Sequence, residues 1–510
     1  NNQDGSTPIT AATTTTTTPL IDAQELEQFI DYATSYLVQI SHTKTQDPHF
    51  PGRFTYQAYT HHNLQPSLQT PQYWNTPHHQ QPDYNLLRHN GALYALSQAY
   101  TRRREMERNQ KNNDNSNTNR SFGVLRSSSR SNNGQDNNNN NSNSISSEVI
   151  LETIQRGIGY LRDNALFSPP KNGNNKNTNN ELLLAAWERE DINDPHSTLT
   201  TAKLGGAGLA LIALGNLHHI EGVHSVSLEK ELRPLGAFIE SLQNTQDGSF
   251  TCKYHWTTGP DDSWQSLYYP GEAALGLVTL AEIESQQLER EESESHNHNK
   301  KKNQQRWMKV ASQTLLYLER YRRYADLDDI EPDHWALLAT AKLLPLLHKQ
   351  RHHLQHKLTT TTTTTTTHTE QEQLELTQQK QQLDVEYWLI YNHAIKVATS
   401  MVTDHTSVQL QRNHGCFSPD MRTCPTATRL EGLLATLTFI QESELYMGDE
   451  GHEGTTTELL QDRIEHDVAM GIRFLLNAQQ QTNKNQMRGA VPGKYNPTTA
   501  TNRGSTKNRE

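Results

Sequence analysis

Five stretches of the chain share one pattern, a polar or glycine-containing turn followed by a nearly unbroken apolar run. They read HNGALYALSQAY from His89, KLGGAGLALIALGNL from Lys203, YPGEAALGLVTLAEI from Tyr269, DHWALLATAKLLPLL from Asp333 and TRLEGLLATLTFI from Thr428. A helix that is apolar round most of its circumference has to be buried on several sides. Alternating with them are segments that carry a single apolar stripe, at residues 21–40, 149–161, 232–242, 307–321, 387–401 and 464–476. In the second of these, Ile150, Ile154, Ile158 and Leu161 recur at the spacing of one helix face. The alternation predicts helical hairpins whose apolar helices line a centre and whose amphipathic helices wrap them. The expected fold is all-α, an α/α toroid of six outer and five inner helices, and a linear array of helical repeats is the other architecture the pattern permits. A sixth inner helix would fall after residue 476, where the tail is polar, so the ring is expected to be open or the chain truncated there.

Composition explains why these runs stand apart. Only 33% of the 510 residues are hydrophobic and 27 are glycine, together about 38% against the roughly 45–50% usual for globular domains. Low-complexity sequence dilutes the core, with asparagine at 137–141 and threonine at 359–367. The expected layout is a disordered N-terminus at 1–19, one domain over 20–480, and a disordered or truncated tail at 481–510. Inserts near 105–147, 169–180, 285–305, 349–382 and 447–458 carry too little apolar surface to offset ordering entropy. No uncharged apolar run reaches the 18 residues a membrane-spanning helix needs. Asn1 stands first instead of Met, which leaves an upstream signal or anchor open, and with it a secretory or anchored location instead of a cytoplasmic one.

The net charge of −11 argues against a nucleic-acid surface, which needs clustered cations on one face. The clusters at Arg102, Arg103 and Arg104 and at Lys300, Lys301 and Lys302 border the inserts and read as solvated tethers. Three cysteines, Cys252, Cys416 and Cys424, are too few for a disulfide scaffold and leave only a Cys416–Cys424 bridge open. The histidine pairs have no carboxylate or Cys at ligand spacing, so neither a metal nor another cofactor is implied.

The turns that open the apolar runs are where chemistry concentrates. Their N-terminal ends should face one end of the central funnel, and they supply Arg88, His89, Asn90, Lys203, Tyr269, Glu272, Asp333, His334, Trp335, Arg429 and Glu431. Aromatic rings stack on pyranose faces, cations hold carboxylates, and paired acids transfer protons, so the set fits a sugar or uronate site. Glu272 and Asp333 are the expected acid–base pair, with His334 and Tyr269 assisting; Arg88, His89, Asn90, Lys203, Trp335, Arg429 and Glu431 would bind substrate. Each acid also sits in a first helical turn, where a carboxylate caps the helix or complements its dipole, and the cations are equally placed to pair with those acids across the ring. Residues 243–250, QNTQDGSF, form a turn signal in which Asp247 and Gly248 make the corner and Phe250 returns to the core.

That corner, together with the Leu/Ala/Gly-rich runs, resembles the α/α-toroid superfamily of terpenoid cyclases, protein prenyltransferase β-subunits, six-hairpin glycosidases and uronate lyases and epimerases. The chain departs from the cyclases in lacking a D-x-D-D acid motif, of which Asp261 and Asp262 are a partial echo, and from the prenyltransferases in lacking an Asp/Cys/His zinc set. By elimination the resemblance implies a carbohydrate-active enzyme acting on an acidic or uronate-containing glycan by hydrolysis, elimination or epimerisation, with a saccharide as its partner. A helical scaffold binding a peptide or protein in the same funnel, and a cyclase-like toroid without the usual acid motif, are the alternatives.

Overall fold

The computed structural model describes residues 21–55, 84–120, 145–170, 182–220, 226–290, 294–363, 370–412, 415–447, 454–482 and 491. Helices dominate it. In chain order they are α1 (Ala23–Gln39), α2 (Leu86–Arg120), α3 (Ser147–Asn164), α4 (Leu204–His218), α5 (Arg233–Ser241), α6 (Tyr269–Arg290), α7 (Glu294–Arg322), α8 (His334–Thr363), α9 (Glu370–Arg412), α10 (Thr423–Met447) and α11 (Gly454–Thr482). All five apolar runs and all six striped segments fall on these helices.

The two kinds of helix pack as their patterns require. Ile150, Ile154, Ile158 and Leu161 of α3 are at most 1% exposed, so the predicted stripe is the buried one. In α4 every residue from Leu204 to Gly215 is buried, as expected of a helix apolar on all sides. The apolar helices contact one another in chain order, α2 on α4, α4 on α6, α6 on α8 and α8 on α10. The amphipathic helices α3, α7, α9 and α11 pack on α2, α6, α8 and α10 respectively. α1 meets α11, where Arg473 Nη1 lies 2.6 Å from Glu25 Oε2 and Gln479 Nε2 donates to the Phe29 carbonyl at 3.1 Å.

The corner at 243–250 is built as the sequence predicts, and it recurs. Gly248 has φ +78° and lies so close to α7 that a Cβ there would be 2.3 Å from the Gln313 carbonyl oxygen. Phe250, two residues on, is buried and bridges back to Gln243. Gly52 and Phe54 repeat this after α1, against Arg156 of α3, and Gly415 and Phe417 repeat it after α9, against Met470 of α11. A Gly-x-Phe step thus pins the turn after an amphipathic helix onto the next amphipathic helix at three places.

Several expectations need correction. The fold is not purely helical: β1 (Leu166–Phe167), β2 (Ala185–Arg189), β3 (Leu199–Lys203), β4 (Lys253–His255) and β5 (Gly259–Asp261) form an antiparallel sheet in chain order. Strands of two to five residues are too short to print a two-residue alternation in the sequence. The stretches 105–120, 294–305, 349–363 and 370–382, expected within inserts, continue α2, α7, α8 and α9. Gln, Glu, Lys and Arg are good helix formers, and extending a helix already nucleated by the core is far easier than starting one. The terminal stretches 1–19 and 483–490, the tail from 492, and the insert residues 121–144, 171–180, 291–293, 364–369 and 448–453 lie outside the described residues. Arg102 and Arg103 are no tether, since they pair with Glu27 and Asp31 and clamp α2 to α1. Cys416 and Cys424 are both free, one buried and the other exposed.

Candidate functional site

The starts of α4, α6 and α8 and the second and third turns of α10 bring most of the expected residues into one neighbourhood; Glu431 lies well inside α10 and not, as expected, in a first turn. Glu272, in the first turn of α6, is 5% exposed, and its Oε2 has no hydrogen-bond partner. Burial, with the charge of Asp333 second, pushes its carboxyl up to about 8. Space for that carboxyl is made on α4: a Cβ at Gly205 would sit 1.9 Å from Glu272 Oε2 and 2.4 Å from Tyr269 Cδ1. Tyr269 is itself pushed up to about 12, by burial and then by Glu272. Its ring meets Trp264 at 5.3 Å, and Lys253 Nζ stands 4.4 Å over the Trp264 ring.

Asp333 sits differently. Its Oδ1 accepts the Ala336 main-chain N–H at 3.0 Å, which caps α8, and its Oδ2 accepts from Arg322 Nη2 at 3.0 Å, with both side chains buried. Burial raises this carboxyl while Arg322 and the cap hold it down, and the balance is upward. With each oxygen already engaged, Asp333 is fitted to fix the start of α8 and to bias Glu272, not to exchange protons with a ligand; the expectation of a Glu272–Asp333 acid–base pair is corrected to that extent.

α8 and α10 complete the cluster. His334 is 6% exposed with Nε2 unpartnered, and burial, then the charge of Arg429, lowers its imidazole to about 4, so it is neutral at pH 7. Trp335 packs against the core with its ring 4.4 Å from that of His334. Arg429 reaches Asp404 of α9 at 3.7 Å while its Nε has no partner. Burial lifts Glu431 to about 7. Its charge adds to burial in raising the phenol of Tyr94, from α2.

α2 contributes less than expected. Asn90 is wholly buried; its Nδ2 donates to the Gly206 carbonyl at 3.0 Å, tying α2 to the start of α4, and its Oδ1 is unpartnered. Alanine at Asn90 should cost about 1–2 kcal/mol through that lost bond, read from the denaturant midpoint; an unchanged midpoint would show that the α2–α4 tie carries no weight. His89 does not line the site. It turns toward α3, with Nε2 3.1 Å from the Gly157 carbonyl and its ring among Phe54, Tyr84 and Tyr160, and burial lowers it to about 3. A histidine one residue from Arg88 on a helix cannot share its direction, and Arg88 is exposed. Lys203 pairs with Glu188 of β2 at 2.8 Å, and a cavity of about 170 Å³ reaches Glu188 past Asn85 and Tyr160.

Sequence reasoning did not find Glu188, Arg322, Asp404 or Tyr94. The first three come from a short strand and from amphipathic helices, with no local signal. Tyr94 had one, as a polar-tipped ring one turn into a run otherwise almost wholly apolar. Among the described residues no three His, Cys, Asp or Glu side chains converge as metal ligands, and no helix is long and apolar enough to cross a membrane. No protein-family model, curated protein or solved structure matches the chain.

Proposed function

We propose that the chain is a carbohydrate-active enzyme of α/α-toroid architecture, acting on an acidic or uronate-containing glycan at the N-terminal ends of its apolar helices. The toroid reading is supported by the serial packing of α2, α4, α6, α8 and α10, by the meeting of α1 with α11, and by the threefold recurrence of the Gly-x-Phe corner. One observation carries the activity: Glu272, a buried carboxyl with an oxygen left unpartnered and room made for it by Gly205. A carboxylic acid kept protonated near pH 7 is what a general acid needs to be. In this scheme Glu272 protonates a departing or enolic oxygen, Tyr269 lies beside it as a second donor, and Glu431 is the other carboxyl titrating near neutrality. Arg429 holds the substrate carboxylate, and Trp335 and Tyr94 offer ring faces. Hydrolysis, elimination and C5 epimerisation all use such an acid.

A noncatalytic scaffold has a specific observation in its favour, because Lys203, Asp333 and Arg429 each have an ionic partner within the protein. Thermal-shift screening with uronate-containing oligosaccharides separates the two, since a ligand of the folded state raises the melting temperature by mass action. The enzyme reading expects a shift that Arg429→Ala abolishes, and turnover that Glu272→Gln removes. Absence of any uronate shift, or turnover untouched by Glu272→Gln, refutes it.

A further inference from the structure

A second polar concavity lies away from these helix ends. It has a volume of about 480 Å³ and is enclosed by the 243–250 corner, α7, α8 and the start of the core-packed part of α9. Five glutamines, Gln246, Gln305, Gln313, Gln350 and Gln382, line it along with Glu386. Its apolar floor is Leu316, Leu347 and Leu383. Next to the lining residues Leu316 and Arg320 on α7 come Tyr317 and Tyr321, whose rings stack at 6.4 Å and 25°. Tyr321 is 64% exposed and Tyr324 89%.

We propose that this groove is a second saccharide-binding site, separate from the helix-end cluster, and that it takes a neutral oligosaccharide. Primary amides each offer two N–H donors and a carbonyl acceptor, which suits hydroxyl groups that donate and accept in turn. The leucine floor and the tyrosines offer apolar faces to the C–H faces of sugar rings. The volume is that of an ordinary ligand pocket. The charges argue for a neutral ligand. The carboxylates Asp247 and Glu386 are matched by Lys309 and Arg320, the latter already held by the Asp247 carbonyl, so the lining favours neither an anion nor a cation. Burial raises the Glu386 carboxyl, against a hydrogen bond from Ser312. A peptide fits less well. The walls contributed by α7, α8 and α9 have their main chain committed to helices, which leaves no strand edge to extend, and the floor is too small to hold an amphipathic helix along its length.

The test is calorimetric titration of the full chain with neutral hexasaccharides of gluco, manno, galacto and xylo configuration. Wild type is compared with Tyr321→Ala, Glu386→Gln and Arg429→Ala. Tyr321 is largely exposed and Glu386→Gln is isosteric, so both variants are expected to fold, which circular dichroism checks. We expect at least one hexasaccharide to bind, Tyr321→Ala and Glu386→Gln each to weaken it about tenfold, the scale of an interface anchor, and Arg429→Ala to leave it unchanged. No binding of any hexasaccharide at millimolar concentration overturns the proposal. So does binding that survives both groove variants, and so does binding that Arg429→Ala removes, which would place the neutral sugar at the helix ends.

Discussion

Alanine at Gly52, Gly248 or Gly415 is expected to destabilise the protein by about 2–5 kcal/mol at each site, where the same change at Gly91 or Gly159 is neutral or mildly stabilising. Two effects combine at the corners. Each glycine has a positive φ, +86°, +78° and +75°, which costs an L-residue about 1–2 kcal/mol. Each also lies against the main chain of the next amphipathic helix, so that a Cβ would stand 2.0 Å from the Arg156 oxygen, 2.3 Å from that of Gln313, or 2.3 Å from that of Met470. Backbone carbonyls inside α3, α7 and α11 cannot step aside as a flexible side chain does, so the corner has to lift off, and Phe54, Phe250 or Phe417 lifts with it. Overpacking of this kind adds about 1–3 kcal/mol. Gly91 and Gly159 are helical with nothing within 4 Å of the added carbon, and there alanine improves helix propensity by up to about 1 kcal/mol. Chemical denaturation of the five variants checks this. Equal costs at corner and control sites would show that the corners do not fasten the helices.

The corners also show how far the fold could be read from the residues. The corner at 243–250 announces itself through Asp247-Gly248, a dipeptide with turn chemistry of its own. Gly52 follows a proline and Gly415 a histidine, and only the shared Gly-x-Phe spacing links them to it, a weak signal because the same step also occurs at Gly236 to Phe238 inside α5. The long-range periodicities were fully legible, because burial on one face or on all faces leaves a mark in every turn of a helix, as at Ile150, Ile154, Ile158 and Leu161. The ends of the long helices were not. Past residue 349 of α8 or before residue 383 of α9 no apolar residue need recur, and propensity alone continues the helix. Residue types at the helix starts predicted the polar cluster but not its pairing. Asp333 and Glu272 look alike in sequence, each an acid at the beginning of an apolar run. What separates them is Arg322, from the far end of α7, which engages one, and Gly205, from α4, which gives the other space without a partner. Such distinctions live in contacts between elements remote in the chain.

Glu272→Gln is expected to stabilise the protein by about 3 kcal/mol at pH 7 and about 4–5 kcal/mol above pH 8, with the gain vanishing in acid. The sign follows from where the protons are. The carboxyl has an ordinary value of 4.5 and rises to about 8 in the folded protein. Between those limits the folded state holds a proton that the unfolded state has released. Stability therefore falls as pH rises through this window, by about 1.4 kcal/mol per pH unit, opposite to the usual carboxylate whose folded value is depressed. Below pH 4.5 both states are protonated and nothing is lost; above about 8 the folded state carries a buried, unpartnered anion and the whole cost is present. Glutamine keeps the shape of the protonated acid and cannot ionise, so it removes the cost and its pH dependence together. Denaturant unfolding of both proteins from pH 4 to 9 should give curves that meet in acid and diverge toward pH 8. Parallel curves would mean that Glu272 is solvated or partnered, and the general-acid assignment would lose its basis. A carboxyl found to lower stability above neutral pH, at a site where glutamine would fit, would be hard to account for as architecture. A helix cap or a structural ion pair stabilises, as Asp333 with Ala336 and Arg322 illustrates one helix away. A cost of this kind at Glu272 is what the proposed proton-transfer role expects, in the common opposition between stability and activity at functional sites.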